Sequence, residues 1–380
     1  MRTLTCITLA SLLAACTQTP KPTRTADAER LLGNLRALVD SSLTMFGQAN
    51  PTTITYLDAL QHHDTERSDC SDICGSHPAY HESDFMWYRN PEFARRDLAA
   101  MHAAYNRGAL IGYCWHIDGQ HGDFYLQHNG NTTADSTLVT RIVANPDRNT
   151  NPDLDWLLTQ IDTLVIPVFN ELGCPIIFRP WHEMNGSWFW WGSETCSPDE
   201  YISLYRLTVD YLRSNNVLNV LYAWSPDKAF ATEYYPGDQY VDIIGFDVYF
   251  PGIMDYSRWD IIKPALTEMT NFALAHGKVP ALTETGCGLS DDGTFLYPDL
   301  YPHFWTDNIL GEIVNDPVIG RLAWVMSWYG ADWSGRQTTC AYIPYLGNQR
   351  PNAEAAADDF RAFVASPRIL TEDELPNIYD

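Results

Sequence analysis

Phe178-Arg179-Pro180-Trp181-His182-Glu183-Met184-Asn185-Gly186 reads as a buried strand running out into a turn, and Ala281-Leu282-Thr283-Glu284-Thr285-Gly286 repeats that design later in the chain. The apolar runs concerned are Pro175 to Arg179 and Val279 to Leu282, each stopped at a Gly-marked turn. A carboxylate at the end of a buried strand is costly unless it is paired or put to use. Two strand-end acids held by ion pairs are one reading. The other is a pair facing a common cleft, which is the equipment for breaking a glycosidic bond.

Working outward, further strand-like runs are Leu43 to Gly47, Ala79 to Asp84, Leu110 to Trp115, Val220 to Trp224, Ile243 to Val248 and Leu322 to Ser327. With Pro175 to Arg179 and Val279 to Thr283 they number eight, and helical stretches alternate with them to the end. Strands alternating with helices pair in parallel through right-handed crossovers. Eight in a chain of 380 residues predict an α/β fold, a single closed (β/α)8 TIM barrel over 27–380. Glu183 then follows the fourth strand and Glu284 the seventh, and both open on the C-terminal mouth.

The helices carry their own punctuation. Asn90 is placed to cap, Pro91 takes the first turn, Ala94, Leu98, Met101 and Tyr105 recur on one face, and Gly108 ends the helix. Ser197-Pro198-Asp199-Glu200 is a capping box, followed by Ile202, Tyr205, Val209 and Leu212 on one face. An earlier helix, Asp27 to Asp40, buries Leu31, Leu35, Leu38 and Val39 and is expected under the barrel or on its flank. The longest irregular stretches, Asp58 to Ser76 and Gly119 to Asp153, follow odd-numbered strands and are expected to wall the cleft.

Composition narrows the partners. Hydrophobic residues make up 45%, enough for a full core, and 24 basic residues face 48 acidic ones for a net charge of -24. Nucleic acid and anionic lipid head groups both need a basic face, so neither is expected. A neutral substrate and an extracytoplasmic life fit this balance. At the start, Arg2 precedes an apolar run from Leu4 to Ala15, too short to span a bilayer. The run ends in Leu13-Ala14-Ala15-Cys16, which resembles a bacterial lipoprotein processing site. That resemblance implies a signal peptide at 1–15, lipid on the Cys16 thiol, and a flexible tether at 16–26. A plain secretory signal with an incidental cysteine is the other reading.

Beyond Cys16 stand Cys70, Cys74, Cys114, Cys174, Cys196, Cys287 and Cys340. The odd count leaves one thiol over if the rest pair. Cys70 with Cys74, and Cys174 with Cys196, are plausible partners. His62-His63-Asp64 and His116 read as loop and cleft residues before they read as ligands, and neither metal nor cofactor is expected.

The two acids and their surroundings resemble a family 26 glycoside hydrolase. The likeness is carried by Arg179 to Gly186, Trp188, Gly245-Phe246-Asp247-Val248-Tyr249, Thr283-Glu284-Thr285-Gly286 and Ser327-Trp328. His182 directly before the acid is its distinctive feature. Phe46-Gly47-Gln48 and Ala223-Trp224-Ser225-Pro226 add support, and the likeness runs from Leu43 to Trp333. It implies a retaining double displacement, with Glu284 as nucleophile and Glu183 as acid/base, their carboxyls about 5–5.5 Å apart. Glu183 must then be held protonated by an aromatic setting, for which Trp181 and Trp188 are neighbours, and Glu284 must stay ionised by accepting hydrogen bonds.

By the family pattern Arg179 and Tyr249 donate near Glu284, and His182 holds a sugar hydroxyl or the nucleophile. His116 would contact the sugar next to the cut, unless it is satisfied by core carbonyls. Trp328 would floor that subsite and Trp188 would stack the sugar on the leaving side, unless either is barrel-top packing. Asn185 and Asp247 are read as local network residues. The implied activity is an endo-β-1,4-mannanase, probing β-mannan polysaccharide or manno-oligosaccharides as a monomer held to a bacterial membrane only by its lipid. A β-1,3-1,4-glucanase, a β-1,3-xylanase, or a glycan-binding lipoprotein without catalysis are the alternatives.

Overall fold

A computed structural model describes residues 24–56, 65–128, 131–132, 135–251, 258–288, 296–328, 330 and 342–380. The signal peptide, Cys16 and residues 17–23, together with His62, His63, Asp64 and Cys340, lie outside these. The last residues assigned to the tether are bound to the barrel: Arg24 pairs with Asp242, and the Thr25 N–H donates to the Leu218 carbonyl at 2.8 Å.

The expected strands are present. They are Thr44–Ala49, Tyr80–Asp84, Leu110–Trp115, Ile176–Pro180 and Val220–Trp224, then a sixth and a seventh in two pieces each, and Trp324–Ser327. The sixth is Ile243–Ile244 and Asp247–Tyr249; the seventh is Val279–Pro280 and Leu282–Gly286. Each of the first five pairs in parallel with the next, and the fifth pairs with the lower piece of the sixth. Lower and upper pieces of the sixth and seventh pair with each other, the upper seventh pairs with the eighth, and the eighth pairs with the first. The ring is closed.

The sequence reads the sixth and seventh strands as unbroken. Pro280 has no N–H to give to the ladder, which breaks there. Gly245 interrupts the sixth where a side chain would not fit: a Cβ would fall 2.3 Å from Thr283 Oγ1. That close approach lets Thr283 reach Asp247 above it, at 2.6 Å.

The helices follow their punctuation. Asn90 Oδ1 accepts the N–H groups of Glu92 and Phe93, Pro91–Arg107 follows, and Gly108 closes it in the left-handed region. Ser197 and Glu200 satisfy each other's backbone at the head of Pro198–Ser214, a cap worth about 1 kcal/mol. The helix that begins at Pro152 widens into π geometry at Ile161–Val165, just before Pro167, which lacks the N–H a regular turn needs.

The core has two parts. An outer shell packs strands against helices, with Phe178, Trp181, Tyr205 and Leu212 among its members. An inner one fills the barrel with Met45, Tyr80, Leu110, Ile177, Leu221, Ile243 and Trp324. Leu31, Leu35 and Leu38 of the first helix, Ala26–Ser41, belong to this inner group, as does Ile378 near the C-terminus. The helix therefore seals the underside, and the polar residues of the strands are left for the upper mouth.

Candidate active site

Positions of period two on a barrel strand share a face, and the second strand puts Tyr80, Glu82 and Asp84 on its inner one. Gly112 opposite has no side chain; a Cβ there would lie 2.3 Å from the Tyr80 hydroxyl. Tyr80 thereby leans over the neighbouring strand and donates to Glu82 Oε2 at 2.8 Å. Above it, Arg179 is wholly buried and gathers three carboxylates. Nη2 reaches Glu82 Oε1 at 2.7 Å and Glu284 Oε2 at 3.1 Å, and Nη1 reaches Asp247 Oδ2 at 2.7 Å. Burial alone would lower this guanidinium, but Asp247, Glu82 and Glu284 hold it well above its usual range.

The chain turns sharply after the fourth strand. Trp181 and Glu183 both take the left-handed region, each with φ of 56°, which costs a non-glycine residue about 1–2 kcal/mol. The turn is held by its surroundings. The Glu183 N–H donates to the Ser225 carbonyl at 2.8 Å, and the Tyr201 hydroxyl donates to the Trp181 carbonyl at 2.9 Å. The result sends Trp181 outward, where its indole donates to Thr208 and packs on Trp115, Trp190 and Trp191. Trp181 is therefore part of the outer shell rather than the aromatic setting of Glu183. Trp188 alone of the two fills that role, its Nε1 donating to Glu183 Oε2 at 2.7 Å.

Glu183 and Glu284 are 8% and 6% exposed. One carboxylate oxygen from each, and one from Asp247, lie within 4.8 Å of one another. Their surroundings differ. Burial, then the charges of Asp227, Glu284 and Asp247, push Glu183 well above the usual carboxylate range, against the weaker pull of the Trp188 N–H. Glu284 accepts from Tyr249 Oη at 2.5 Å on one oxygen and from Arg179 on the other. One acid is thus poised to carry a proton, and the other is clamped by two donors.

The remaining expected residues converge on the same mouth. His116 Nδ1 lies 2.5 Å from Asp84 Oδ2, and its Nε2 is 3.1 Å from His182 Nε2. His116 is therefore held by a carboxylate and a second imidazole, not by core carbonyls. Trp328 stands edge-on to His116, ring centres 5.8 Å apart, and its backbone N–H donates to the Thr285 carbonyl. Asn185 laces two loops, its amide donating to the Asp227 carbonyl and accepting from the Asp227 N–H. The stretch after the third strand is stitched to the one after the fourth, Leu126 N–H to Trp188 O and Trp190 N–H to Phe124 O, forming one wall.

Sequence reasoning passed over Glu82, Asp84 and Asp227, and set Asp247 aside as a network residue. Asp247 is that and more, since it accepts from Arg179, Ser225 and Thr283 while sharing space with both glutamates. The signal for Glu82 and Asp84 was their even spacing from Tyr80 in an otherwise buried strand. Glu183, Asp247 and Glu284, and separately Asp84, Cys114 and His116, have ligand types suited to a cation. In the first group Arg179 already balances two of the charges, and in the second His116 is bonded directly to Asp84.

Neither of the two expected cysteine pairings is present as a disulfide. Cys70 and Cys74 place their sulfurs 3.6 Å apart as thiols. Cys174 precedes the fourth strand at the closed end, while Cys196 lies in the loop beyond its open end, so the second expected pairing is not made.

The sequence profile of Glycosyl hydrolase family 26 matches residues 19–289. A curated relative, a mannan endo-1,4-beta-mannosidase of Bifidobacterium adolescentis, is 39% identical over 209 residues, 52% of this chain and 20% of that one. The chain spans well under half the length of the curated relatives it matches first. Among solved structures, a GH26 beta-mannanase of Bacteroides ovatus superposes with a TM-score of 0.74 at 28% identity, covering 94% of this chain and 98% of that one. A modular endo-beta-1,4-mannanase of Cellulomonas fimi does so with a TM-score of 0.75 at 26% identity, over 94% and 78%.

Proposed function

The chain belongs to glycosyl hydrolase family 26, and from that premise we propose that it is a retaining endo-β-1,4-mannanase acting on mannan, glucomannan or galactomannan. The observation that carries the reading is the placement of Glu183 and Glu284, carboxylate oxygens within 4.8 Å across one barrel mouth, in opposed surroundings. That spacing leaves room for an anomeric carbon and none for a water between, as a retaining mechanism requires.

In the first step a Glu284 oxygen attacks C1 of the sugar while Glu183 gives its proton to the departing glycosidic oxygen. The C1–O bond to the leaving chain breaks and a C1–O bond to Glu284 forms. Glu183, now a carboxylate, takes a proton from water, whose oxygen attacks C1 from the vacated side and releases Glu284. Tyr249 and Arg179 hold the nucleophile in line, and the Trp188 N–H, donating to Glu183, stabilises the charge that Glu183 acquires. The relatives named as mannan-cleaving enzymes support the choice of mannan.

The anchor is supported by sequence alone, through the run ending in Cys16. The first described residues, Arg24 and Thr25, are bound at the barrel's underside, through Asp242 and the Leu218 carbonyl. Replacing Cys16 by Ala should release the protein from membranes. Substrate is tested by incubating the chain with linear mannan, lichenan and β-1,3-xylan and following oligosaccharides over time. Mixed manno-oligosaccharides appearing early support internal cutting of mannan. Release from lichenan or β-1,3-xylan alone assigns the site to the other β-glycans, and retention on mannan gels with no product would make it a binding protein.

A further inference from the structure

Asp84, His116 and His182 form a buried chain whose hydrogen-bond direction is fixed from one end. Asp84 Oδ1 accepts two backbone N–H groups, Met86 at 2.9 Å and His116 at 3.0 Å, so its Oδ2 is the oxygen left for His116 Nδ1. Burial would raise this carboxyl, but His116 and those two N–H groups hold it below its usual range, and a carboxylate can only accept. His116 Nδ1 must then carry hydrogen. A single hydrogen lies between His116 Nε2 and His182 Nε2, 3.1 Å apart. If His116 supplied it, His182 would carry its hydrogen on Nδ1, which is buried with no partner among the described residues. A buried N–H without an acceptor is rarer and costlier than a bare lone pair. Burial, His116 and Arg179 also keep His182 from gaining a second proton.

We infer that Asp84 is a positioning residue that sets the tautomer of His182 through His116, so that His182 donates from Nε2 and keeps a bare lone pair on its buried Nδ1, directly before the acid Glu183. The inference rests on the sugar-cleaving reading for its effect on turnover, but not for its geometry. It gives the histidine before the acid a fixed orientation: its one N–H is used on His116, and no N–H of its ring is left buried without an acceptor. It also separates Asp84 from a structural acid, because Asp84→Asn should invert the whole chain. The two backbone donors pin the asparagine oxygen at the Oδ1 position, leaving its NH2 against His116 Nδ1. His116 Nδ1 then becomes the acceptor, its Nε2 donates, and His182 is left with Nδ1–H. An analogous wrong-tautomer substitution beside a catalytic histidine lowers kcat by about 10⁴.

The test is long-range ¹H–¹⁵N correlation on the ¹⁵N-labelled full chain without substrate, the two signals assigned by their loss in His116→Gln and His182→Gln. The expected wild-type spectrum shows neutral His116 with Nδ1–H and neutral His182 with Nε2–H. In Asp84→Asn both tautomers reverse, and kcat/KM on mannan falls about 10²–10⁴-fold with circular dichroism retained. A wild-type His182 bearing Nδ1–H, or tautomers unchanged in Asp84→Asn, overturns the inference. Should Asp84→Asn not fold, the wild-type spectrum still decides. Correct tautomers with no hydrolysis of any β-glycan would sink the mannanase reading and leave this one standing.

Discussion

Tyr249 Oη lies 2.5 Å from Glu284 Oε1, and Arg179 Nη2 takes the other oxygen at 3.1 Å, so the two donors clamp one carboxylate from both sides. Burial and the charge of Glu284 push the Tyr249 hydroxyl well above its usual range, which keeps it a donor. Tyr249→Phe keeps the ring and removes one clamp. A hydrogen bond to a charged group contributes about 1.5–3 kcal/mol, so kcat should fall about 10–150-fold, with little change in thermal stability. A kcat within twofold of wild type would show that Arg179 alone suffices.

Arg179 serves stability as well as chemistry. Removing one partner from a buried ion cluster costs about 3–5 kcal/mol, because the charges left behind are uncompensated. Arg179→Met leaves Glu82, Asp247 and Glu284 together without their cation. Urea unfolding should show a loss of that order at pH 7. The loss should shrink as the pH falls toward 4, where the carboxyls protonate; a pH-independent loss would point to packing instead.

Trp188 tunes the acid. Its N–H favours the charged form of Glu183, so taking the N–H away raises the pKa further. Trp188→Phe should therefore move the alkaline limb of the kcat/KM profile to higher pH, measured on an aryl mannoside. A shift to lower pH would mean that the indole does not stabilise the Glu183 carboxylate.

Glu183 should be a liability for stability. Its folded pKa lies above its unfolded value, so its contribution is fully present below the ordinary carboxylate range and is lost as pH rises through and beyond it. Glu183→Gln removes the titration. The variant should melt higher than wild type at pH 7, with the gap narrowing toward pH 4, by calorimetry at both values. Equal melting temperatures at pH 7 would contradict a protonation cost at this site.

Much of this was legible in the sequence because strand ends carry the chemistry. Glu183 and Glu284 each stand where an apolar run breaks at a glycine, and alternation of strands with capped helices gives the barrel. Trp181 was misplaced because two left-handed residues reverse the direction of successive side chains, and no local signal marks a left-handed tryptophan. Cys174 and Cys196 looked paired because sequence distance hides that a whole strand separates them. Glu82 and Asp84 stayed silent for a different reason. A charged residue in a short strand reads as a surface face unless the strand is known to line a closed lumen, which only the complete ring reveals.

The central claim is that Glu284 and Glu183 act on opposite faces of one sugar carbon, and azide rescue of their alanine variants tests it most directly. With an activated β-mannoside and added azide, Glu183→Ala should release the β-mannosyl azide, since the anion takes the place of water on the glycosyl-enzyme. Glu284→Ala should release the α-mannosyl azide, the anion entering the space the nucleophile left. The same anomer from both variants would contradict the assignment.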